Sequence, residues 1–313
     1  MTRSPLRVVI TEFMDEDAVA SLAARFDVLY DATLVDRPGD LAPLLADAAA
    51  VVVRNKTQVD TGLLAAAPRL KVVGRLGVGL DNIDLPGCAA RGIEVIPASG
   101  ANALAVAEYV IGAALMLLRG AYASSAAVGA GAWPRAALSD GREIAGKTLG
   151  VVGFGAIGRL VGRLARALGM SVAGFDAQMP ADAAVWRDER TTPLPFDDLL
   201  RSADVVTLHV PLSTQTRALL AGPKLALMKA DAILINTARG GVVDEAALAA
   251  ALKAGKLGGA ALDVFEREPL PAGSVLAGCP NLILTPHVAG VTRESNVRVS
   301  TLIAAKVAAA LSR

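Results

Sequence analysis

The stretch TLGVVGFGAIG, from Thr148 to Gly158, sets a short β-branched run directly before three glycines in G-x-G-x-x-G spacing, and the helical pattern RLVGRLARALG follows it. Strand, tight turn and helix in that order form the part of a βαβ unit that holds a pyrophosphate. Gly153 makes the turn, Gly155 lets a phosphate approach the backbone, and Gly158 lets helix pack on strand. The free N–H groups at the helix start then hold the anion. The next strand, SVAGFD, ends on Asp176, about 20 residues past the turn, where a carboxylate accepts from adenosine ribose hydroxyls and repels a 2′-phosphate. Ala177 and Gln178 offer no cation to such a phosphate, so the expected cofactor is NAD. Without a ligand, the same features read as an ordinary glycine bend and a helix-capping Asp176.

Outward from this unit, short β-branched runs alternate with Ala/Leu-rich segments of helical spacing, the pattern of parallel sheets covered on both faces. RVVIT, DVLYD, AVVVR, KVVGR and IEVIPA form a first series, and TLGVVGFG, SVAGFD, DVVTLHVP, AILINTAR, GAALDVF and NLILTPH a second. Series of five and six imply two α/β domains, which 313 residues at 53% hydrophobic content can fill. Ala101 to Arg119 reads as a long helix leading into the second domain. The tail, Arg293 to Arg313, is helical again, and periodicity leaves its packing partner open.

A net charge of +1 without blocks of like charge lacks the basic footprint of a nucleic-acid binder. The apolar stretch Val106 to Leu118 contains Glu108 and falls short of the roughly 20 residues that span a bilayer. MTRSPLRVVITEF holds too short an apolar run for a signal peptide. Cys88 and Cys279 stand at no metal-ligand spacing and suit a reducing compartment. The expected setting is cytoplasmic, with no metal, nucleic acid or membrane.

The two histidines of the chain, His209 and His287, fall at strand ends of the second series, where open α/β sheets bind ligands. Reduction of a ketone by hydride leaves charge on oxygen, and imidazole is the side chain best suited to supply the proton near neutrality. A carboxylate stabilises its charged form, and an arginine fork suits a substrate carboxylate. Arg239 in INTARGGVVDE and Glu268 in DVFEREPLP follow strands in the right order to converge with His287. Singly, each also reads as a helix-flanking charge, a solvated acid or a satisfied core histidine.

Together, GVVGFGAIG, HVPLSTQT, NTARGGVVDE, ALDVFEREPLP and LTPHVAG resemble the D-2-hydroxyacid dehydrogenases, a group that includes D-3-phosphoglycerate, glyoxylate/hydroxypyruvate and D-lactate dehydrogenases. The resemblance covers essentially the whole chain. It implies Arg239 as anchor of the substrate carboxylate and carbonyl, Glu268 as partner of the imidazole, and His287 as acid/base. It further implies Ala156, Ile157 and Asp176 on the adenosine and pyrophosphate side, His209 and Pro211 in the pocket wall and Thr216 near a phosphate. Thr237, Ala238, Asp263 and Gly290 would stand near the nicotinamide. It implies two doubly wound parallel-sheet domains: a flavodoxin-like substrate domain from residues 1–98 and 289–313, and a Rossmann NAD-binding domain from residues 99–288. A substrate cleft with hinge closure, and a homodimer formed through Ala101 to Trp133, are implied as well. In NALAVAE, Ala105 stands where the family pattern has serine.

VVVRNKT and GRLGVGLDNID match the family's substrate-facing loops, with backbone N–H groups of Val78 and Gly79 expected to cradle a carboxylate and Asn102 at the domain junction. Arg54, Lys56 and Arg75 are more cation than a methyl-bearing acid requires, so a second anionic group is expected. The RNKT and GRLGVGLDNID wording, with WPRAAL at Trp133, is similar to the sulfolactate dehydrogenase branch. A sulfomethyl group in place of methyl reverses naming priority at C2, so an S-named sulfolactate is D-configured. The alternatives are a glyoxylate/hydroxypyruvate reductase and an NAD-sensing protein like the corepressors that share this fold.

Overall fold

The computed structural model describes residues 5–313; the first four, which open the N-terminal stretch considered above, lie outside the described residues. The described chain forms two compact units, one running up to Asn102 and joined by Val291–Arg313, the other Ala103–Gly290.

The first unit holds β1 (Arg7–Ile10), β2 (Asp27–Tyr30), β3 (Ala48–Val53), β4 (Val72–Arg75) and β5 (Glu94–Pro97), all parallel, in the order β2-β1-β3-β4-β5. This is the flavodoxin-like doubly wound order. Central β3, AAAVVV, is buried along its whole length, as a strand must be when helices cover both faces. Val8, Ile10, Ala50 and Val52 face one apolar layer with Met14 and Leu22, while Val9, Val51 and Val53 face another with Leu45 and Leu64.

The tail joins the first of these layers. Helix Arg293–Leu311 starts at a capping box between Thr292 and Ser295 and packs on β4, β5 and helix Glu16–Ala23. Its Ile303 and Val307 press so close to β4 that a Cβ added at Gly74 would lie 2.9 Å from a methyl of each. Gly74 is therefore a position at which strand and tail touch closely. Gly74→Val is expected to lower stability by about 1–3 kcal/mol through overpacking. Thermal denaturation followed by circular dichroism would read this as a clear drop in Tm, and an unchanged Tm would contradict it.

The second unit holds β6 (Thr148–Val152), β7 (Ser171–Phe175), β8 (Thr192–Pro193), β9 (Val205–Leu208), β10 (Ile233–Asn236), β11 (Gly259–Leu262) and β12 (Leu282–Leu284). They form one parallel sheet in the order β12-β11-β10-β9-β6-β7-β8. The sheet thus has seven strands where sequence patterning gives six. The extra one, β8, is two residues long, too short for any period to show, and its Pro193 is tolerated because the strand lies at the sheet edge. From β6 the chain winds outward through β7 to β8, then returns to β9 and winds the other way, so a topological switch point lies between β6 and β9. Helix Ala103–Arg119 packs against helix Ala156–Ala167 and β10, burying Ala107, Val110, Ala114, Leu117 and Leu118. After it, Tyr122, Val128 and Trp133 are exposed, Trp133 to 78%. No single helix among the described residues is long and apolar enough to cross a membrane.

Candidate active site

Because the strands of the second unit are parallel, every loop after a strand leaves the same edge of the sheet. The expected residues sit at these strand exits: Gly153 to Gly155 and the helix start Ala156 to Gly158 after β6, Asp176 after β7, His209, Pro211 and Thr216 after β9, and Thr237, Ala238 and Arg239 after β10. Asp263 follows β11, and His287 and Gly290 follow β12.

At the glycine turn, Gly153 has φ 92°, and a Cβ on it would lie 2.5 Å from the carbonyl oxygen of His209. The exits of β6 and β9 are therefore pressed together at the switch point. A Cβ on Gly158 would meet the Gly153 carbonyl oxygen at 2.3 Å, whereas one on Gly155 would meet nothing within 4 Å. Gly155 thus opens on free space in front of helix Ala156–Ala167, whose N-terminus has no side-chain cap. Asp176 accepts from the N–H of Phe154 at 2.9 Å through Oδ2 and from Gln178 N–H at 2.9 Å through Oδ1. That ties the carboxylate to the turn and leaves each oxygen lone-pair capacity for further donors. Thr237 Oγ1 is buried with no hydrogen-bond partner, a polar atom awaiting one. An open glycine, an uncapped helix start, a strand-end carboxylate and an orphan hydroxyl suit a dinucleotide.

Other expected residues work within their own loops. The Thr216 hydroxyl donates to Pro211 O at 2.6 Å and accepts from Ser213 N–H at 2.8 Å, building the turn between them. His209 shares a 3.0 Å hydrogen bond between Nε2 and Thr207 Oγ1, and burial pushes its ring down to about 3.

His287 Nδ1 pairs with Glu268 Oε2 at 2.8 Å. With the Nδ1 proton donated to the carboxylate, Nε2 is left to face a ligand. Glu268 is steadied by Phe265 N–H, which donates to Oε1 at 3.0 Å. His287 itself sits at φ 57°, a left-handed conformation that costs a non-glycine residue about 1–3 kcal/mol. An exposed ion pair recovers only about 0–1 kcal/mol, so stability does not explain why the backbone is held this way. Asp263 provides the restraint. Buried to 1% exposure, it accepts from Val288 N–H and Ala289 N–H at 2.8 Å each and from Thr285 Oγ1 at 2.6 Å, while its carbonyl accepts from His287 N–H at 2.8 Å. Both its carboxylate oxygens bind the histidine loop, a role that sequence did not reveal.

Arg239 follows β10 in a turn braced by Asn236, which accepts from Ala238 N–H and donates to Arg239 O, both at 3.0 Å. The next residue, Gly240, lies so close to the Glu268 loop that a Cβ would fall 1.7 Å from the Phe265 carbonyl oxygen. The arginine turn and the glutamate loop are thereby in direct backbone contact, a feature that sequence did not reveal.

In the first unit, Glu12 was also missed. It is 5% exposed at the end of β1, and its carboxylate accepts from the N–H groups of Arg54 (2.8 Å), Thr57 (3.0 Å) and Lys56 (3.2 Å). Asn82 Nδ2 closes the same loop by donating to Arg54 O and Thr57 O. Arg54 is half-buried and donates to Asn296 Oδ1 at 2.7 Å, and burial lowers its guanidinium from the usual arginine range despite the opposing charge of Glu12. Arg75 lies against Gly77, where an added Cβ would overlap its guanidinium. Among the described residues no group takes the N–H of Val78 or Gly79. Lys56 is exposed and stands 3.9 Å from Asp36. Asn102 keeps a buried Oδ1 without a partner.

Fold and loops together define a dinucleotide-dependent oxidoreductase. Residues 111–289 match the family described as D-isomer specific 2-hydroxyacid dehydrogenase, NAD binding domain. The (S)-sulfolactate dehydrogenase of Chromohalobacter salexigens is 55% identical over 97% of this chain and 98% of that protein. The D-3-phosphoglycerate dehydrogenase of Methanocaldococcus jannaschii is 38% identical over 96% of this chain, which spans 57% of that protein's length. Among solved structures, a D-lactate dehydrogenase from Aquifex aeolicus complexed with NAD and lactic acid superposes with a TM-score of 0.81 at 30% identity, over 97% of this chain and 95% of that one. The chain belongs to the D-isomer specific 2-hydroxyacid dehydrogenase family, with NAD as cofactor.

Gly240→Ala is expected to force the arginine turn off the Glu268 loop and to lower kcat at least tenfold, since small misplacements of catalytic groups are costly. Steady-state kinetics would check this, and parental kcat in a folded variant would refute it. His209 generates a pH prediction. A ring held neutral in the fold lets the unfolded chain bind the extra proton, so stability falls as pH drops from 6.5 towards about 3, with no penalty at pH 7. His209→Gln should move the acid-unfolding midpoint to lower pH, as read by near-ultraviolet circular dichroism.

Proposed function

We propose that this protein interconverts a small D-2-hydroxy acid and its 2-oxo acid, and that the substrate carries a second anionic group of the 3-sulfolactate or 3-phosphoglycerate kind. The observation that carries the reading is the His287–Glu268 pair at 2.8 Å, held on a backbone conformation that its own stability does not require. NAD, when bound, supplies the hydride acceptor or donor. His287 Nε2 takes the hydroxyl proton during oxidation and returns it during reduction, while Glu268 stabilises the imidazolium. Arg239 holds the substrate carboxylate and polarises the carbonyl through its planar fork.

For the second anion, Arg54 and Arg75 are the proposed holders, with the N–H groups of Val78 and Gly79 cradling the carboxylate. Support comes from the half-buried, Glu12-ordered loop that carries Arg54, and from similarity to an enzyme named for sulfolactate. Lys56, exposed beside Asp36, contributes long-range charge only. Residues 1–98 and 289–313 form the proposed substrate domain and residues 99–288 the nucleotide domain. The proposed setting is cytoplasmic, without nucleic acid or membrane partners. A homodimer built through residues 101–133 is supported by exposed Tyr122, Val128 and Trp133.

An NADH-linked assay over 3-sulfolactate, 3-phosphoglycerate, glycerate and D-lactate should give the highest kcat/KM with the dianions, and equal or better use of D-lactate would remove the second-anion assignment. His287→Ala should lose about 10²–10⁴-fold in kcat. An unchanged rate would remove the histidine from the chemistry.

A further inference from the structure

Helix Ala103–Arg119 carries a side-chain hydrogen bond to a distant segment of the chain. Tyr109 lies against the apolar layer that includes Val110, Phe154 and Ile235, yet its hydroxyl reaches Thr285 Oγ1 at 2.6 Å, across 176 positions of sequence. Thr285 Oγ1 in turn donates to Asp263 Oδ1 at 2.6 Å. One hydroxyl hydrogen cannot serve two acceptors, so with the Thr285 proton given to Asp263, Tyr109 must be the donor to Thr285. The order of donation is therefore fixed: Tyr109 to Thr285, Thr285 to the carboxylate. Burial raises the phenol above its ordinary value, opposed by the Thr285 hydrogen bond and reinforced by the Asp263 charge, so the donor stays protonated.

We propose that Tyr109 is a positioning residue for proton transfer, acting through Thr285 and Asp263 on the loop that holds His287 in its left-handed conformation. The inference rests on the reading of His287 as the acid/base. The Tyr109 bond removes the rotational freedom of the Thr285 hydroxyl and polarises it towards Asp263, as linked hydrogen bonds do. Asp263 then holds Val288 and Ala289, the two residues after His287. Within this unit His287 meets Glu268 at Nδ1 and Asp263 at its backbone N–H. Loosening the loop weakens the Glu268 contact first, since it alone of these depends on ring orientation. A weaker contact leaves the ring less well aimed at the proton it exchanges, so kcat falls while cofactor binding is untouched.

The test is Tyr109→Phe, which deletes the hydroxyl and keeps the buried ring, measured beside His287→Ala, Thr285→Val and Thr285→Ser. The phenylalanine variant should lose about three- to tenfold in kcat, the worth of one hydrogen bond, with KM for NAD unchanged. Thr285→Val should reproduce the effect, and Thr285→Ser, which keeps a hydroxyl, should restore most of it. Parental kcat in Tyr109→Phe, with His287→Ala inactive, overturns the role of Tyr109 alone. A fall in kcat with a raised KM for NAD, or one that Thr285→Ser does not restore, marks a merely structural residue and overturns it too. Full activity in His287→Ala overturns the acid/base reading and this inference with it.

Discussion

At the end of β11 a carboxylate almost wholly removed from water, Asp263, takes three donors from the segment that follows β12. A buried carboxylate is costly unless its oxygens are satisfied, and here the donors that satisfy it are the ones that shape the histidine loop. Loop and carboxylate thus require each other. Without Asp263, the loop would lose most of the hydrogen bonds that hold the left-handed φ at His287, and the pair with Glu268 would lose its fixed geometry.

The same arrangement recurs in the first unit. Glu12, at the end of β1, gathers three backbone N–H groups and so orders the loop that carries Arg54. In both units a parallel sheet delivers an acid to the strand exit, and the acid freezes the neighbouring loop. Rigid loops suit chemistry that depends on distance, because ordering them in advance removes that cost from the bound state.

Close backbone approach supplies the second constraint. Gly153 against the His209 carbonyl, Gly240 against the Phe265 carbonyl and Gly74 against the tail helix each mark a place where a methyl group would separate two elements. Two of these contacts lie at loops carrying expected site residues and one in the core, so glycine serves both precision and packing in this chain.

The sequence by itself determined the doubly wound class, the glycine turn with Asp176, the loops bearing Arg239, Glu268 and His287, and the family. These are local or periodic signals: spacing of glycines, alternation of strand and helix, residue types at strand ends. Strand β8 escaped because two residues carry no period, and the destination of the tail escaped because amphipathic spacing says that a face is buried but not against what. Only tertiary structure decided that Glu12 orders the Arg54 loop, that Asp263 restrains the histidine loop, that Gly240 abuts Phe265, and that Tyr109 reaches Thr285. Each of these joins residues far apart along the chain, and such a contact exists only once strand order has been set, since nothing in either segment alone specifies the distance between them.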